Sequence, residues 1–167
     1  TSVSGGKEIS YTDENNTTQT IKYTNETLDA SALNNDSPIK SKPVKRFKVT
    51  NAAGETTIYD SRETEVLNFL YTSASIGQYI VPNVYGDPAE SSYNSNIERI
   101  IYPSGAETRY RYKCMYVTSQ ATKVAHGVYA VEDSYDIIDG TVKNHKTYTL
   151  ESKYNEITKT ENDQSKG

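Results

Sequence analysis

The sequence predicts an all-β fold, an antiparallel meander of hairpins that forms a stacked or curled sheet, and three observations predict it. The 167 residues include 15 tyrosines but only 2 phenylalanines and no tryptophan, and tyrosine is enriched in strands. Polar turns that contain glycine recur between β-prone arms, as they do in hairpins. Residues 108–116 alternate strictly between two classes of side chain, which is the period of a half-buried strand.

Length, charge and cysteine content limit the class of protein. A chain of 167 residues suits one domain, so residues 1–167 are predicted to fold as a single unit. The formal net charge of -4 offers no basic surface to a polyanion, so we expect no nucleic-acid partner. No apolar run reaches the roughly 18 residues of a membrane span, so none is expected. The single cysteine, Cys114, excludes an intrachain disulfide.

The first third of the chain contains two hairpin signals separated by an aperiodic segment. Residues 9–23 hold two β-prone arms around a polar Asp-Glu-Asn-Asn tip, which predicts a hairpin. Residues 24–43 show no periodicity and predict either a long surface connection or a loosely held arm. Residues 44–59 predict a second hairpin whose turn contains Gly54, because glycine adopts a positive φ at little steric cost.

Residues 61–96 interrupt the strand pattern, and we predict an irregular insertion there. Val66, Leu67 and Leu70 have helical spacing after an acidic first turn, which predicts one short helix near residues 63–72. The remainder of the insertion carries prolines, glycines and serines around a short apolar run, as irregular segments do.

The second half predicts two further hairpins and a polar end. Residues 97–116 place two arms on either side of a Pro-Ser-Gly-Ala turn, and residues 122–150 predict a fourth hairpin with an Asp-Gly turn. The last arm, residues 148–160, leads into residues 161–167. This tail is polar throughout, and we expect it to be flexible.

The arm after the third turn has the clearest two-faced pattern. One face carries Tyr110, Tyr112, Cys114 and Tyr116, and the other carries Arg109, Arg111, Lys113 and Met115. Few aliphatic residues are available for burial, so we expect the tyrosine face to pack against tyrosines of neighbouring hairpins. Cys114 is then a buried small apolar residue. The basic face is expected to pair with Glu98 and Glu107 across the sheet.

The turns repeat imperfectly, and the repeat resembles a known family. Tyrosine follows the turn glycine by five residues at both Gly54 and Gly105. Literal Tyr-Asp pairs occur at Tyr59-Asp60 and Tyr135-Asp136. Segments 100–112 and 154–160 show the same kinds of turn and strand residues. Together these features resemble the units of Rhs, or YD-repeat, proteins.

The resemblance implies a structural role. In that family, hairpin repeats wind into a hollow β-shell that encloses a toxin or stands as a cell-surface spacer. By resemblance, this chain is a non-enzymatic structural module of a secreted or cell-surface protein. Its partners are then the neighbouring β-hairpin repeats of a larger chain, which bury the faces that one hairpin leaves open.

A second hypothesis comes from a different functional class. The chain also suits a secreted β-sandwich or barrel domain that binds a glycan or protein ligand in the manner of an adhesin. The candidate ligand-binding residues are Tyr79, Tyr85 and Tyr93, because long loops on a rigid β-scaffold often carry recognition. The absence of tryptophan favours the structural role over a dedicated sugar-stacking platform.

The titratable residues form no catalytic motif. His126 and His145 have no partner at metal-binding spacing. Asp133, Asp136 and Asp139 precede a glycine and are the candidates for a calcium site, although the spacing does not match an EF-hand. The alternative for them is a solvated acidic turn. We therefore expect no cofactor and no enzymatic activity.

Overall fold

The protein is all-β, as predicted. The computed structural model describes residues 2–3, 6–33, 42–70, 88–119, 124–153 and 156–163. Their elements are β1 (Ser2–Val3), β2 (Gly6–Thr12), β3 (Thr18–Leu28), a 3-10 helix (Ala30–Ala32), β4 (Val44–Thr50), β5 (Thr56–Leu70), β6 (Pro88–Ile101), β7 (Glu107–Ser119), β8 (Val124–Ile138), β9 (Thr141–Lys153) and β10 (Glu156–Asp163).

The strands form one antiparallel meander. Each pairs with the next along the chain, in the order β1 to β10. The predicted glycine turns are confirmed, since Gly54 and Gly105 both have φ of 84° and Gly140 has φ of 73°, a conformation that favours glycine. In the β4–β5 turn the Asn51 side chain accepts hydrogen bonds of 3.0 Å from the backbone N–H groups of Ala53 and Glu55, as turn-forming Asn residues do.

The helix predicted near residues 63–72 is wrong over residues 63–70, which are strand, while residues 71–72 lie outside the described residues. β5 continues without a break to Leu70 and pairs with β6 from Ile58 to Phe69. A short apolar run does not by itself distinguish a helix from a strand, because both periods fit so few residues. Pairing with β6 supplies the hydrogen bonds that decide the outcome, and such tertiary pairing overrides local propensity.

Two predicted boundaries change for the same reason. The insertion predicted at residues 61–96 is wrong over residues 61–70 and 88–96, which are strand, while residues 71–87 lie outside the described residues. The tail predicted at residues 161–167 is wrong at its start, since β10 pairs with β9 through Asp163. Residues 164–167 lie outside the described part of the chain.

The meander closes into a ring over four of its strands. β6 pairs with β7 only across Arg99–Ile101, whereas the end of β5, at Phe69 and Leu70, pairs with β8. Since β5–β6 and β7–β8 also pair along their lengths, β5, β6, β7 and β8 form a closed cycle of ladders. Where β6 and β7 separate, the Tyr112 hydroxyl donates a 2.6 Å hydrogen bond to the Ile97 carbonyl.

Burial in this sheet is shallow and more polar than apolar. The buried apolar residues among the described side chains are Leu33, Val44 and Met115, and the buried polar ones are Asp60, Arg62, Asn96, Glu98 and Asp133. Cys114, predicted to be buried, is only half-buried, while Met115 on the opposite face of β7 is buried. Alternation shows which side chains share a face, but other strands decide which face is covered.

Candidate functional site

The most organised site in the described residues is a buried ion cluster around Asp60. The β-register places Arg46 of β4 and Arg99 of β6 directly opposite Asp60 of β5. Arg46 donates from Nε and Nη2 to the two carboxylate oxygens at 2.7 and 3.0 Å. Arg99 donates from Nε and Nη2 to Oδ2 at 2.7 and 2.5 Å. Two guanidinium groups thus hold one carboxylate across three adjacent strands, through charge-assisted bonds.

Asp60 is ionised in this cluster. Its side chain is fully buried, and burial alone raises the pKa of a carboxyl group. The hydrogen bonds from Arg46 and Arg99, together with their positive charges, outweigh burial and hold the pKa of Asp60 below its ordinary value of 3.8. A carboxylate fixed in this way is not available as a proton acceptor at neutral pH.

A second buried ion pair adjoins the first on the same face. Arg62 and Glu98 are both fully buried, and Arg62 Nη1 donates to Glu98 Oε2. Glu98 is the extra residue of a β-bulge, because Arg99 and Ile97 face consecutive residues of β5. A bulge redirects a side chain that regular pairing would place on the other face.

The arginines of this cluster also hold the connection between β3 and β4. Arg62 Nη2 donates to the carbonyls of Ala30 and Leu33 at 3.1 and 2.6 Å, and its Nε donates to the carbonyl of Lys42 at 3.1 Å. Arg99 Nη2 donates to the carbonyl of Ala32 at 3.2 Å. The Leu33 carbonyl is buried, and Arg62 supplies it with a hydrogen-bond donor.

The surface connection or loosely held arm predicted at residues 24–43 is therefore wrong for its described part. β3 extends to Leu28, the 3-10 helix follows, and Leu33 is 1% exposed. Residues 34–41 lie outside the described residues. In the sequence, Asp60 stands out only as part of a Tyr-Asp pair. Charged residues at the alternate positions 60 and 62 of one β-arm were the signal that could have indicated this cluster.

Asp136, the carboxylate of the other Tyr-Asp pair, also connects three strands. It accepts a 2.7 Å hydrogen bond from Thr108 Oγ1 of β7 and a 2.6 Å bond from Asn144 Nδ2 of β9. Asp60 connects β4, β5 and β6 in the same manner. In both pairs, the carboxylate receives donors from the strands on each side of its own.

The tyrosines of the two pairs also have matching contacts. Tyr59 lies opposite Phe47 of β4, with ring centroids 6.4 Å apart. Tyr135 packs edge-on against His145 of β9, with centroids 5.7 Å apart and planes at 78°. Each Tyr-Asp pair thus fastens its strand on both faces, with an aromatic contact on one and a carboxylate on the other.

The three calcium candidates do not converge on a common point. Asp133 is bonded to His145 Nε2 at 3.0 Å and lies 3.6 Å from Arg111 Nη2. Asp136 has the partners given above, and Asp139 is exposed in the β8–β9 turn with φ of 51°. Within the described ranges, no group of three His, Cys, Asp or Glu side chains could hold a metal ion.

At the far end of the tyrosine face of β7, two tyrosines lie close to the lone thiol. Cys114 lies opposite Tyr129, and the hydroxyls of Tyr116 and Tyr129 are both within hydrogen-bond reach of it. Burial raises the pKa of Cys114 by more than these hydrogen bonds lower it. A thiol in such a site is a poor nucleophile at neutral pH.

The other tyrosines and basic residues of β7 have separate partners. Burial is the main cause that raises the pKa of Tyr112, to about 12. Arg109 pairs with Glu107 at 2.6 Å, but both residues lie in β7, so this contact is not the cross-strand pair that was predicted. The predicted pairing with Glu98 is wrong, because Glu98 is bonded to Arg62.

The remaining sequence candidates are only partly described. Tyr79 and Tyr85 lie outside the described residues. The backbone of Tyr93 lies in β6 opposite Glu65, and its side chain is outside the described part. His126 is exposed.

Comparison of the chain with protein-family models, with curated proteins and with solved structures finds no match. Among the described residues, no helix is long and apolar enough to cross a membrane.

Proposed function

We propose that this chain is a non-enzymatic structural module of a secreted or cell-surface protein, built from tyrosine-rich β-hairpin repeats that resemble those of Rhs/YD-repeat proteins. Its role is to form part of a rigid β-wall, either of a shell around a toxin or of a surface spacer. Neighbouring hairpins of a larger chain are its partners.

The single observation that supports this proposal most is the equivalent use of the two Tyr-Asp pairs. Each carboxylate receives donors from both flanking strands, at Asp60 from Arg46 and Arg99 and at Asp136 from Thr108 and Asn144. A dipeptide whose carboxylate bonds to both neighbouring strands suits a repeat, because each repeat then contacts the one before and the one after it.

The connectivity of the sheet supports the same role. Strands pair in chain order, so contacts form mainly between neighbours, as in repeat proteins. The side chains at Asp60, Asp133 and Cys114 are tied into structural contacts, each with its own partners. Asp60 is held as an anion by two arginines, and the raised pKa of the Cys114 thiol makes it a poor nucleophile at neutral pH.

Truncation tests the repeat architecture. A chain that ends at Ile138 lacks β9 and β10, and we expect β2 to β6 to keep the amide hydrogen-exchange protection that they have in the whole chain. A matched control removes residues 1–12, at the other end of the meander. Loss of protection in every strand after either truncation would contradict the repeat assignment.

Protease treatment of intact cells tests the location and role. An antibody against this chain should detect the parent protein before treatment and lose its signal after treatment of unbroken cells. A signal that persists until the cells are lysed would contradict a secreted or cell-surface wall.

A further inference from the structure

A polar trough crosses the face of the sheet opposite the ion cluster. It spans β3, β4, β5 and part of β6 and has a volume of about 450 Å³. The lining side chains on this face are those of Asn25, Thr27, Lys45, Phe47, Ser61 and Ser95. The register explains their convergence, because Asn25 lies opposite Phe47 and Lys45 lies opposite both Thr27 and Ser61. Residues directly opposite one another share a face of the sheet.

One end of the trough is an aromatic surface held in place. Phe47 is 36% exposed, although its ring packs against two neighbours. The centroid of Tyr23 lies 5.7 Å from it and that of Tyr59 lies 6.4 Å from it. A ring fixed on two sides offers a preorganised flat surface, so little conformational entropy is lost when a ligand stacks on it.

The rest of the trough presents groups that both donate and accept hydrogen bonds. The hydroxyls of Thr27, Ser61 and Ser95 do so, and the exposed amide of Asn25 carries one acceptor and two donors. The hydrogen bond between two of these hydroxyls is long and therefore weak, since Ser95 Oγ lies 3.5 Å from Ser61 Oγ. A ligand rich in hydroxyl groups can replace such contacts with better ones.

Two of the charged residues around the trough, Glu26 and Arg46, are paired with opposite charges. Glu26 at its edge pairs with Lys48 at 2.8 Å, and Arg46 is committed to buried Asp60. Lys45 is directed to Thr27 Oγ1 at 3.3 Å. One cation of this kind does not form the converging basic cluster that phosphate or sulfate groups require.

We propose that this trough binds a neutral saccharide. The C–H face of one sugar ring stacks on Phe47, and the hydroxyls of that ring and the next bond with Asn25, Ser61 and Ser95. The volume lies within the ordinary range of small-ligand sites, roughly 300–1,000 Å³. This inference does not depend on the structural role proposed above, and it places a glycan site at residues that the sequence did not single out.

Amide chemical shifts of the whole chain test the proposal, with cellotriose, maltotriose and triacetylchitotriose as neutral probes. Each is titrated to about 10 mM, because roughly millimolar affinity is expected of so small a site. We expect at least one probe to shift the amides of Asn25, Lys45, Phe47 and Ser95 in a saturable manner. A sulfated hexasaccharide serves as the anionic probe.

Two variants locate the interaction. Phe47→Leu keeps an apolar side chain between Tyr23 and Tyr59 but removes the ring, and we expect it to weaken binding about tenfold, or roughly 1.4 kcal/mol. Asn25→Ala alters an exposed position and should weaken binding without affecting folding. Tyr102→Leu is a control at another exposed aromatic residue, whose exposed fraction is 40%, and this variant should bind as the parent does.

The proposal is overturned if no neutral probe shifts these amides, or if Phe47→Leu and Asn25→Ala both bind as the parent does. Binding of the sulfated probe alone would also overturn it, because the site would then select charge. The amides of the trough could also shift when the protein is concentrated and not shift further when sugar is added. That result would identify a second copy of the chain as the occupant and would equally reject a saccharide.

Discussion

The strands around Asp60 and those around Asp136 use the same dipeptide with different surroundings. Asp60 is fully buried and held by two arginines. Asp136 is only half-buried, and its donors Thr108 and Asn144 are neutral. In both cases the carboxylate bonds to the two flanking strands, whereas burial and the charge of the partners determine how much the contact contributes to stability.

The largest expected effect is that of removing the buried carboxylate. Asp60→Ala leaves Arg46 and Arg99 without their anion, so we expect a loss of about 3–5 kcal/mol in the free energy of unfolding. Asp136→Ala removes hydrogen bonds to neutral donors and should cost about 1–2 kcal/mol. Urea unfolding of both variants measures the difference, and equal losses would contradict the role given to burial.

The pH dependence of stability sharpens the same comparison. The pKa of Asp60 is lowered in the folded state, so its contribution is present above the ordinary value of 3.8 and lost as pH falls through the folded pKa. We expect the stability difference between the parent and Asp60→Asn to shrink between about pH 6 and about pH 2. Unfolding curves across this range measure it, and Asp139→Asn, at an exposed turn residue, serves as the control. A difference that stays constant with pH would contradict an ionised, arginine-paired carboxylate.

Turn glycines are expected to have intermediate effects. Gly54 and Gly105 both have φ of 84°, and an added Cβ would meet no atom within 4 Å at either. Alanine at either position therefore has only a conformational cost, about 1–2 kcal/mol. Asparagine, which tolerates this conformation better, should cost less than alanine. Thermal melts of the four variants would contradict this account if asparagine were the worse residue.

The smallest expected effect concerns the gap between β6 and β7. Tyr112→Phe removes the hydrogen bond to the Ile97 carbonyl but keeps the ring, so we expect a loss of about 1 kcal/mol. Tyr102→Phe removes an exposed 3.2 Å contact with Thr108 and should cost less than about 0.5 kcal/mol. Chemical denaturation distinguishes them, and a loss at Tyr102 equal to that at Tyr112 would show that the gap is not closed by this hydroxyl.

The sequence was most informative where structure is local. The turns at Gly54, Gly105 and Gly140 are determined by residues that adopt a positive φ, and alternation along β7 is determined by the pleat. Local pattern was misleading at residues 63–72, where helical spacing in a short apolar run was outweighed by pairing with β6.

The candidate site was less predictable than the fold. Asp133, Asp136 and Asp139 are close in sequence, but the register of β7, β8 and β9 gives Asp133 and Asp136 separate partners. The Asp60 cluster draws on strands 14 and 39 residues away, and no spacing within one segment reveals it. The trough at Phe47 likewise exists only because β3, β4, β5 and β6 lie side by side.

By itself, the sequence determined that this chain is an antiparallel all-β protein with hairpins at particular turns, because backbone conformation and two-residue alternation are written in adjacent residues. The tertiary structure alone decided which carboxylates are buried, which arginines reach them and which face carries the trough. These features depend on strand register and on a β-bulge at Glu98, and register is fixed by contacts between residues far apart in the chain.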